Sequence, residues 1–114
     1  MIELTLPLPP NVLHPNGRTR NVKWRASLVK KARSEAALVA RMQAPAVPFK
    51  RAKVHATFYH PRERDDDGLI AWLKSYLDGL QDAGIIENDR GFTLLPPVQI
   101  MGKERKVVLR IEEA

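Results

Sequence analysis

Two hydrophobic periods alternate along this chain, and no other feature restricts its fold as strongly. Ile2, Leu4, Leu6 and Leu8 recur at every second position, the period of a half-buried strand, and Pro9-Pro10 ends the run. Pro7 has no amide donor and suits an edge strand or a strand end. From Val22 to about Met42 the spacing changes to three and four residues through Leu28, Ala32, Ala36 and Val39, which predicts a helix with Asn21 as its N-cap. Val54, Ala56 and Phe58 return to the strand period, and His60-Pro61 ends that segment. Ile70, Leu73, Leu77 and Leu80 then form the apolar stripe of a second helix. It is expected to be capped by Asp67, to run to about Ala83 and to end at Gly84 in left-handed conformation. Val98 to Met101 and the alternating Val107, Leu109 and Ile111 read as two closing strands across a Gly102-Lys103 turn. The order β-α-β-α-β-β predicts an α/β (α+β) fold, with a single-layer sheet, two main helices and a C-terminal β-hairpin.

The 114 residues suit one domain, residues 1–114, in which roughly two-thirds of the unfolded surface can be buried. No cysteine is present, which removes disulfides, a cysteine nucleophile and Cys-ligated zinc, and leans towards a reducing compartment. Met1-Ile2-Glu3-Leu4 has no basic region leading into an apolar run, so no signal peptide is expected. No run approaches the roughly 18 apolar residues of a membrane helix, and the expectation is a cytoplasmic protein without a membrane partner.

Charge is divided unevenly. Residues 1–64 carry 13 Lys+Arg against 3 Asp+Glu, a balance of +10, while residues 65–114 carry 6 against 10, a balance of −4. A surface as basic as the first half attracts polyanions by counterion release, although basic charge also serves plain solubility. The acidic half opens on Arg64-Asp65-Asp66-Asp67-Gly68. In extended chain, residues two apart share a side, so Asp65 and Asp67 would converge and Asp66 would face away. Converging carboxylates repel unless a cation neutralises them, and hard oxygen donors select Mg²⁺ or Mn²⁺. The plainer reading of the same residues is helix capping and solvated charge. The spacing of a calcium-binding loop is missing. Asp89, in the polar stretch after Ile85-Ile86, is a third candidate ligand or an ordinary turn residue. Lys74 lies seven residues after Asp67, within about 20° of the same helix face, where it can stabilise phosphoryl-transfer charge or simply pair with Asp78 at i,i+4.

Other chemistries find no support. His14, His55 and His60 have no zinc-like spacing, Ser27 and Ser75 no nucleophile-elbow context, and no phosphate-binding glycine loop of the G-x-x-x-x-G-K type occurs. Trp24 and Trp72, both at helical positions, are expected in the core.

Taken in order, Arg64-Asp65-Asp66-Asp67-Gly68-Leu69, Lys74-Ser75-Tyr76-Leu77-Asp78-Gly79-Leu80, Ala83-Gly84-Ile85 and Asn88-Asp89 resemble the RusA-type Holliday junction resolvases. These are bacterial and prophage endodeoxyribonucleases. Leu6-Pro7-Leu8-Pro9-Pro10-Asn11 and Gly17-Arg18-Thr19 are similar to the start of that family, so the resemblance covers nearly the whole chain. Two departures stand out. Gly68 replaces the usual Asn, and Lys74 falls about three residues later than the family's lysine, whose usual spacing here holds Ala71.

The resemblance implies Mg²⁺-dependent, structure-selective nicking of four-way DNA junctions in recombination and repair. Asp65, Asp67 and Asp89 would be the metal-binding acidic residues and Lys74 the catalytic lysine. Phosphates would be held by Arg18, Arg20, Lys23, Arg25 and Lys30 of the loop and first helix, with Arg64. A second helix of about 16 residues spans about 24 Å, whereas the six residues to Asp89 reach at most about 21 Å. Asp89 therefore either backtracks within its own chain or comes from the partner in a homodimer, an assembly that also suits two paired nicks. A non-catalytic nucleic-acid-binding module, or a nuclease acting on other branched DNA, is the alternative.

Overall fold

The computed structural model describes residues 1–14 and 21–114. Strand β1 (Ile2–Pro7) leads through a short 3-10 turn at Asn11–Leu13 towards helix α1 (Val22–Arg41). Strand β2 (Ala52–His60) precedes α2 (Asp66–Trp72) and α3 (Lys74–Asp82), and a 3-10 turn at Asp89–Gly91 leads into β3 (Phe92–Leu94), β4 (Val98–Met101) and β5 (Lys106–Glu113). The five strands form one mixed sheet, and α2 with α3 make up the second of two main helical elements, so the α/β class read from the periodicity holds.

The sheet order is β1-β5-β2-β3, with β4 also on β2. Strand β5 runs antiparallel to both β1 and β2, whereas β3 and β4 pair in parallel with successive parts of β2. The two C-terminal strands therefore form, but not as the expected hairpin, because β2 lies between them. Burial explains the arrangement. Val107, Leu109 and Ile111 are each fully buried and require a central strand, whereas Val98, Ile100 and Met101 are largely exposed and suit an edge. Pro7 ends the other edge strand, where its missing donor costs no ladder bond.

One face of the sheet presents Leu4, Leu6, Val54, Phe58, Leu109 and Ile111 to the helices, and these join Ala36, Ala40, Trp72, Tyr76 and Leu80 in one core. Helix α1 starts where its cap predicts, with the Asn21 side chain accepting from the Trp24 amide at 2.9 Å. Its buried stripe consists of Ala32, Ala36, Ala37 and Ala40, so α3 approaches closely. At Gly79 the approach leaves no room for a side chain. A Cβ there would collide with the Arg33 carbonyl and lie 2.8 Å from the Ala36 Cβ. Beside this crossing Arg33 Nη2 donates to Asp82 Oδ1 at 2.8 Å, with Nε on the second carboxylate oxygen. Trp24, expected in the core, is 51% exposed. The first buried residue of α1 is Ala32, so the helix start projects beyond the layer it packs on.

The second helix is not continuous. The Leu73 amide is shared between the Leu69 and Ile70 carbonyls at 3.2 and 3.1 Å, a local 3-10 tightening that separates α2 from α3. Gly84 ends the element at φ 83°, the left-handed conformation expected of it. Among the described residues no helix is long and apolar enough to cross a membrane.

Candidate functional site

Asp65, not Asp67, is the N-cap of α2. Its backbone is extended (φ −66°, ψ 139°) and its carbonyl accepts the Leu69 amide at 3.1 Å. Asp66 and Asp67 already belong to the first helical turn, where carboxylates meet the positive end of the helix dipole. Strand alternation across Asp65-Asp66-Asp67 therefore does not apply, since only the first of them is extended. The Asp65 side chain makes no capping hydrogen bond, and all three aspartates are exposed. Capping is thus done by the Asp65 backbone, and its carboxylate is left with hard oxygen donors facing solvent.

The turn before the aspartates is fastened by a residue that sequence reasoning passed over. Gln99, on β4, accepts the Arg64 amide on Oε1 at 2.9 Å and donates from Nε2 to the Arg64 carbonyl at 2.7 Å. These two bonds fix the orientation of its amide. The His60 Nε2, 2.9 Å from the same Oε1, must then carry a proton and donate. Burial, together with the nearby Arg64 charge, pulls the His60 pKa below its ordinary value despite the Gln99 bond, so the imidazole is neutral at pH 7. Only the alternation of strand side chains hints at Gln99, because a glutamine in an edge strand carries no motif.

Trp72 lies beneath this turn. It stacks on Phe58 with centroids 6.2 Å apart and meets His14 edge-on at 5.4 Å. The Arg64 guanidinium sits 4.6 Å above its ring. Trp72 Nε1 donates to the Pro10 carbonyl at 2.9 Å, and the Tyr76 hydroxyl donates to the Pro7 carbonyl at 2.7 Å. The helical element that carries the aspartates is thereby tied to the proline-rich end of β1. The buried His14 ring also accounts for Gly68. A Cβ at that position would lie 2.9 Å from His14 Nε2, so any side chain there requires the His14 ring to shift.

Lys74 opens α3 and holds two carboxylates, Asp78 Oδ1 at 3.1 Å and Asp89 Oδ2 at 3.2 Å. Hydrogen bonds to Asp78 and Asp89 raise its pKa, so the ammonium stays charged above its ordinary range. Asp89 returns to α3 by a defined path. Ile85 and Ile86 are buried, Phe49 and Ile86 form a parallel bridge, and the Glu87 amide donates to the Phe49 carbonyl at 2.9 Å. Asn88 caps the turn that begins at Asp89, and the Asp89 amide donates to Gln81 Oε1 at 3.2 Å. The chain therefore backtracks along α3 and brings Asp89 to Lys74 without a partner. With α2 and α3 end to end from Asp66 to Asp82, Asp65 and Asp67 lie a further helical segment away.

Asp89 is thus joined to Lys74, and Asp65 and Asp67 stand at the mouth of α2, seven or more residues earlier. Among the described residues no three His, Asp or Glu side chains form a donor set for an ion. The donor chemistry of Asp65 and Asp67, exposed carboxylates with Asp65 free of capping duty, fits a hard divalent cation.

Of the basic residues expected to face phosphate, Lys23, Arg25 and Lys30 are exposed along the projecting start of α1. Arg64 lies at the acidic turn, while Arg18 and Arg20 lie outside the described residues.

An uncharacterized protein of Xylella fastidiosa (strain Temecula1 / ATCC 700964) is 37% identical over 107 residues, covering 87% of this chain and 67% of that protein. The chain belongs to the family of that protein. No family model matches the chain.

Proposed function

We propose that the chain is a metal-dependent endodeoxyribonuclease selective for branched DNA, with the four-way junction as its substrate. The observation that carries this reading is the Lys74–Asp89 contact. The chain returns by way of Ile85-Ile86 to set Asp89 against Lys74, one helical segment from the exposed Asp65 and Asp67. Lys74 and Asp89, 15 residues apart in sequence, thus meet beside α3, and their order matches that of the RusA-type motif.

Mg²⁺, or Mn²⁺, would be held by Asp65 and Asp67, with Asp89 the third candidate carboxylate. When bound, the ion supplies Lewis acidity for phosphodiester hydrolysis. The remaining work belongs to the chain. Lys74 is a charge stabiliser rather than a base, because its partners keep it protonated. Arg64, set over Trp72 and clamped by Gln99, presents a fixed cation beside the acidic turn. Lys23, Arg25 and Lys30 supply phosphate contacts that position a duplex arm without reading its sequence. Paired nicks across a junction call for two sites, which a two-fold pair of chains provides.

The test is a labelled synthetic four-way junction with Mg²⁺. Wild type is expected to nick it, and Asp67→Asn to lose at least about 100-fold in rate while still binding the junction. Wild type that binds but never nicks, in Mg²⁺ or Mn²⁺, leaves a non-catalytic binding module and sinks the enzyme. Equal cutting of linear duplex and flapped DNA sinks the junction selectivity.

A further inference from the structure

Beside the acidic turn lies a pocket of about 210 Å³ whose lining includes Asn11, His60, Arg62, Arg64, Trp72 and Arg105. Three arginines line it from two segments: Arg62 and Arg64 from the connection between β2 and α2, and Arg105 from the turn between β4 and β5. Among the described residues, the carboxylates that form ion pairs take other partners. Glu104, next to Arg105, pairs with Lys106 at 2.8 Å, and Asp82 pairs with Arg33. Like charges gathered on one wall repel, and an anion relieves that repulsion.

The donors are ordered for such a guest. Arg64 is held by its backbone on Gln99, has its guanidinium carbon 4.6 Å from the Trp72 ring centroid, and has Nη2 3.4 Å from Asn11 Oδ1. An arginine has five N–H donors, so Arg64 keeps others unused, and Arg62 and Arg105 bring their own. The His60 proton is committed to Gln99, so His60 forms a polar wall rather than a contact. The volume lies below the roughly 300–1,000 Å³ of pockets for drug-sized ligands, and suits one small anionic group. A guanidinium fork matches phosphate oxygens in pairs.

We propose that this pocket binds a phosphate group, and that its guest is one phosphodiester of a DNA strand passing the Asp65 turn. The identity of the strand rests on the nuclease reading, whereas the anion chemistry does not. Arg62 and Arg105 then anchor the backbone next to the carboxylates, and Arg64 joins the pocket to the acidic turn through the chain itself.

The experiment measures binding of a fluorescent four-way junction in EDTA, so that nothing is cut, across a salt series. It compares wild type with Arg62→Gln/Arg105→Gln and with Lys50→Gln/Arg51→Gln, which removes equal charge at the other end of β2. Both double variants alter exposed residues, and unchanged melting curves confirm their folding. The pocket pair is expected to weaken binding about tenfold and to lower the magnitude of the salt slope by about one, as for a lost phosphate contact. The Lys50/Arg51 pair is expected to change binding less than about twofold. Equal loss in both pairs, no loss in the pocket pair, or no junction binding by wild type overturns the proposal. Inorganic phosphate, titrated separately by calorimetry, identifies the other source. If the pocket pair loses phosphate binding but binds DNA as wild type does, the guest is a free phosphate and the strand assignment falls. Wild type that binds through the pocket but never nicks sinks the nuclease and leaves the pocket standing.

Discussion

Replacing Gln99 with leucine removes the fastening of the acidic turn without touching an aspartate. Three hydrogen bonds disappear: the Arg64 amide and the His60 imidazole lose their acceptor, and the Arg64 carbonyl loses its donor. At about 1 kcal/mol net for each, the loss is about 3 kcal/mol, and the buried His60 proton left without Gln99 prevents a smaller figure. A chain of 114 residues has an unfolding entropy of about 0.24 kcal/mol/K, so the melting temperature should fall by about 12 °C.

Gln99→Glu separates the bonds. The carboxylate still accepts from Arg64 and His60 but cannot donate to the Arg64 carbonyl, so a loss of about 1–2 kcal/mol is expected at neutral pH. Circular-dichroism melts measure the stability, and junction nicking at a temperature where all three proteins are folded measures placement of the turn. A melting temperature for Gln99→Leu within about 3 °C of wild type would show that Gln99 does not hold the turn. Full nicking by a destabilised Gln99→Leu would show that the position of the turn does not matter to the chemistry.

Other perturbations read other parts of the structure. Gly79→Ala, which in an exposed helix gains up to about 1 kcal/mol, should instead cost about 1–3 kcal/mol in a urea melt, because the new methyl meets the Arg33 backbone. Gly68→Asn should destabilise wild type but cost at least about 1 kcal/mol less in a His14→Ala background, a coupling read by a double-mutant cycle. Trp72→Ala should cost about 3–5 kcal/mol and Trp24→Ala less than about 1 kcal/mol by the same melt, since only Trp72 is in the core. Burial lowers the pKa of His14 and of His60, with Arg64 adding to both and Asp65 opposing at His14, so the unfolded chain takes up protons first. Stability should therefore be complete above about pH 6.5 and decline as pH falls through the interval down to the folded values, and urea melts on His60→Gln should show a shallower decline.

Features governed by neighbours in sequence could be read from the chain alone. Asn21 caps α1 because a side-chain oxygen there reaches an amide three residues on, and Gly84 turns left-handed because that position carries no Cβ penalty. The alternation in β1, β2 and β5 reports which face meets the helices. Features decided across the sheet could not be read in this way. The periods of β4 and β5 are compatible with a hairpin or with an intervening strand, and only the competition for the central position, won by the fully buried β5, selects between them. Trp24 and Trp72 look alike at helical spacing. One lies where α1 has outrun the layer beneath it, and the other lies over Phe58. At the acidic turn the residue types were legible, but the cap position was not, because Asp65, Asp66 and Asp67 all suit a helix start and the Gln99 clamp is more than thirty residues away.

The separation of these two kinds of information bears on how the site is held. An acidic turn on a free loop would spread its carboxylates under their own repulsion. Here the turn is fixed from behind by groups that are uncharged at neutral pH. Gln99 grips the Arg64 backbone, Trp72 and Tyr76 bond to proline carbonyls, and the His14 ring fills the space a larger residue than Gly68 would need. Proline carbonyls are apt acceptors for this purpose, since Pro7 and Pro10 offer an acceptor without an amide that needs a partner of its own. The aspartates of the turn are therefore positioned by neutral hydrogen bonds and packing, and not by the charges of Arg64 and Lys74. Removing a charge should then alter binding or rate with little effect on stability, and removing a neutral fastener should alter stability first. Opposite outcomes for Asp67→Asn and Gln99→Leu in a melt would contradict that division.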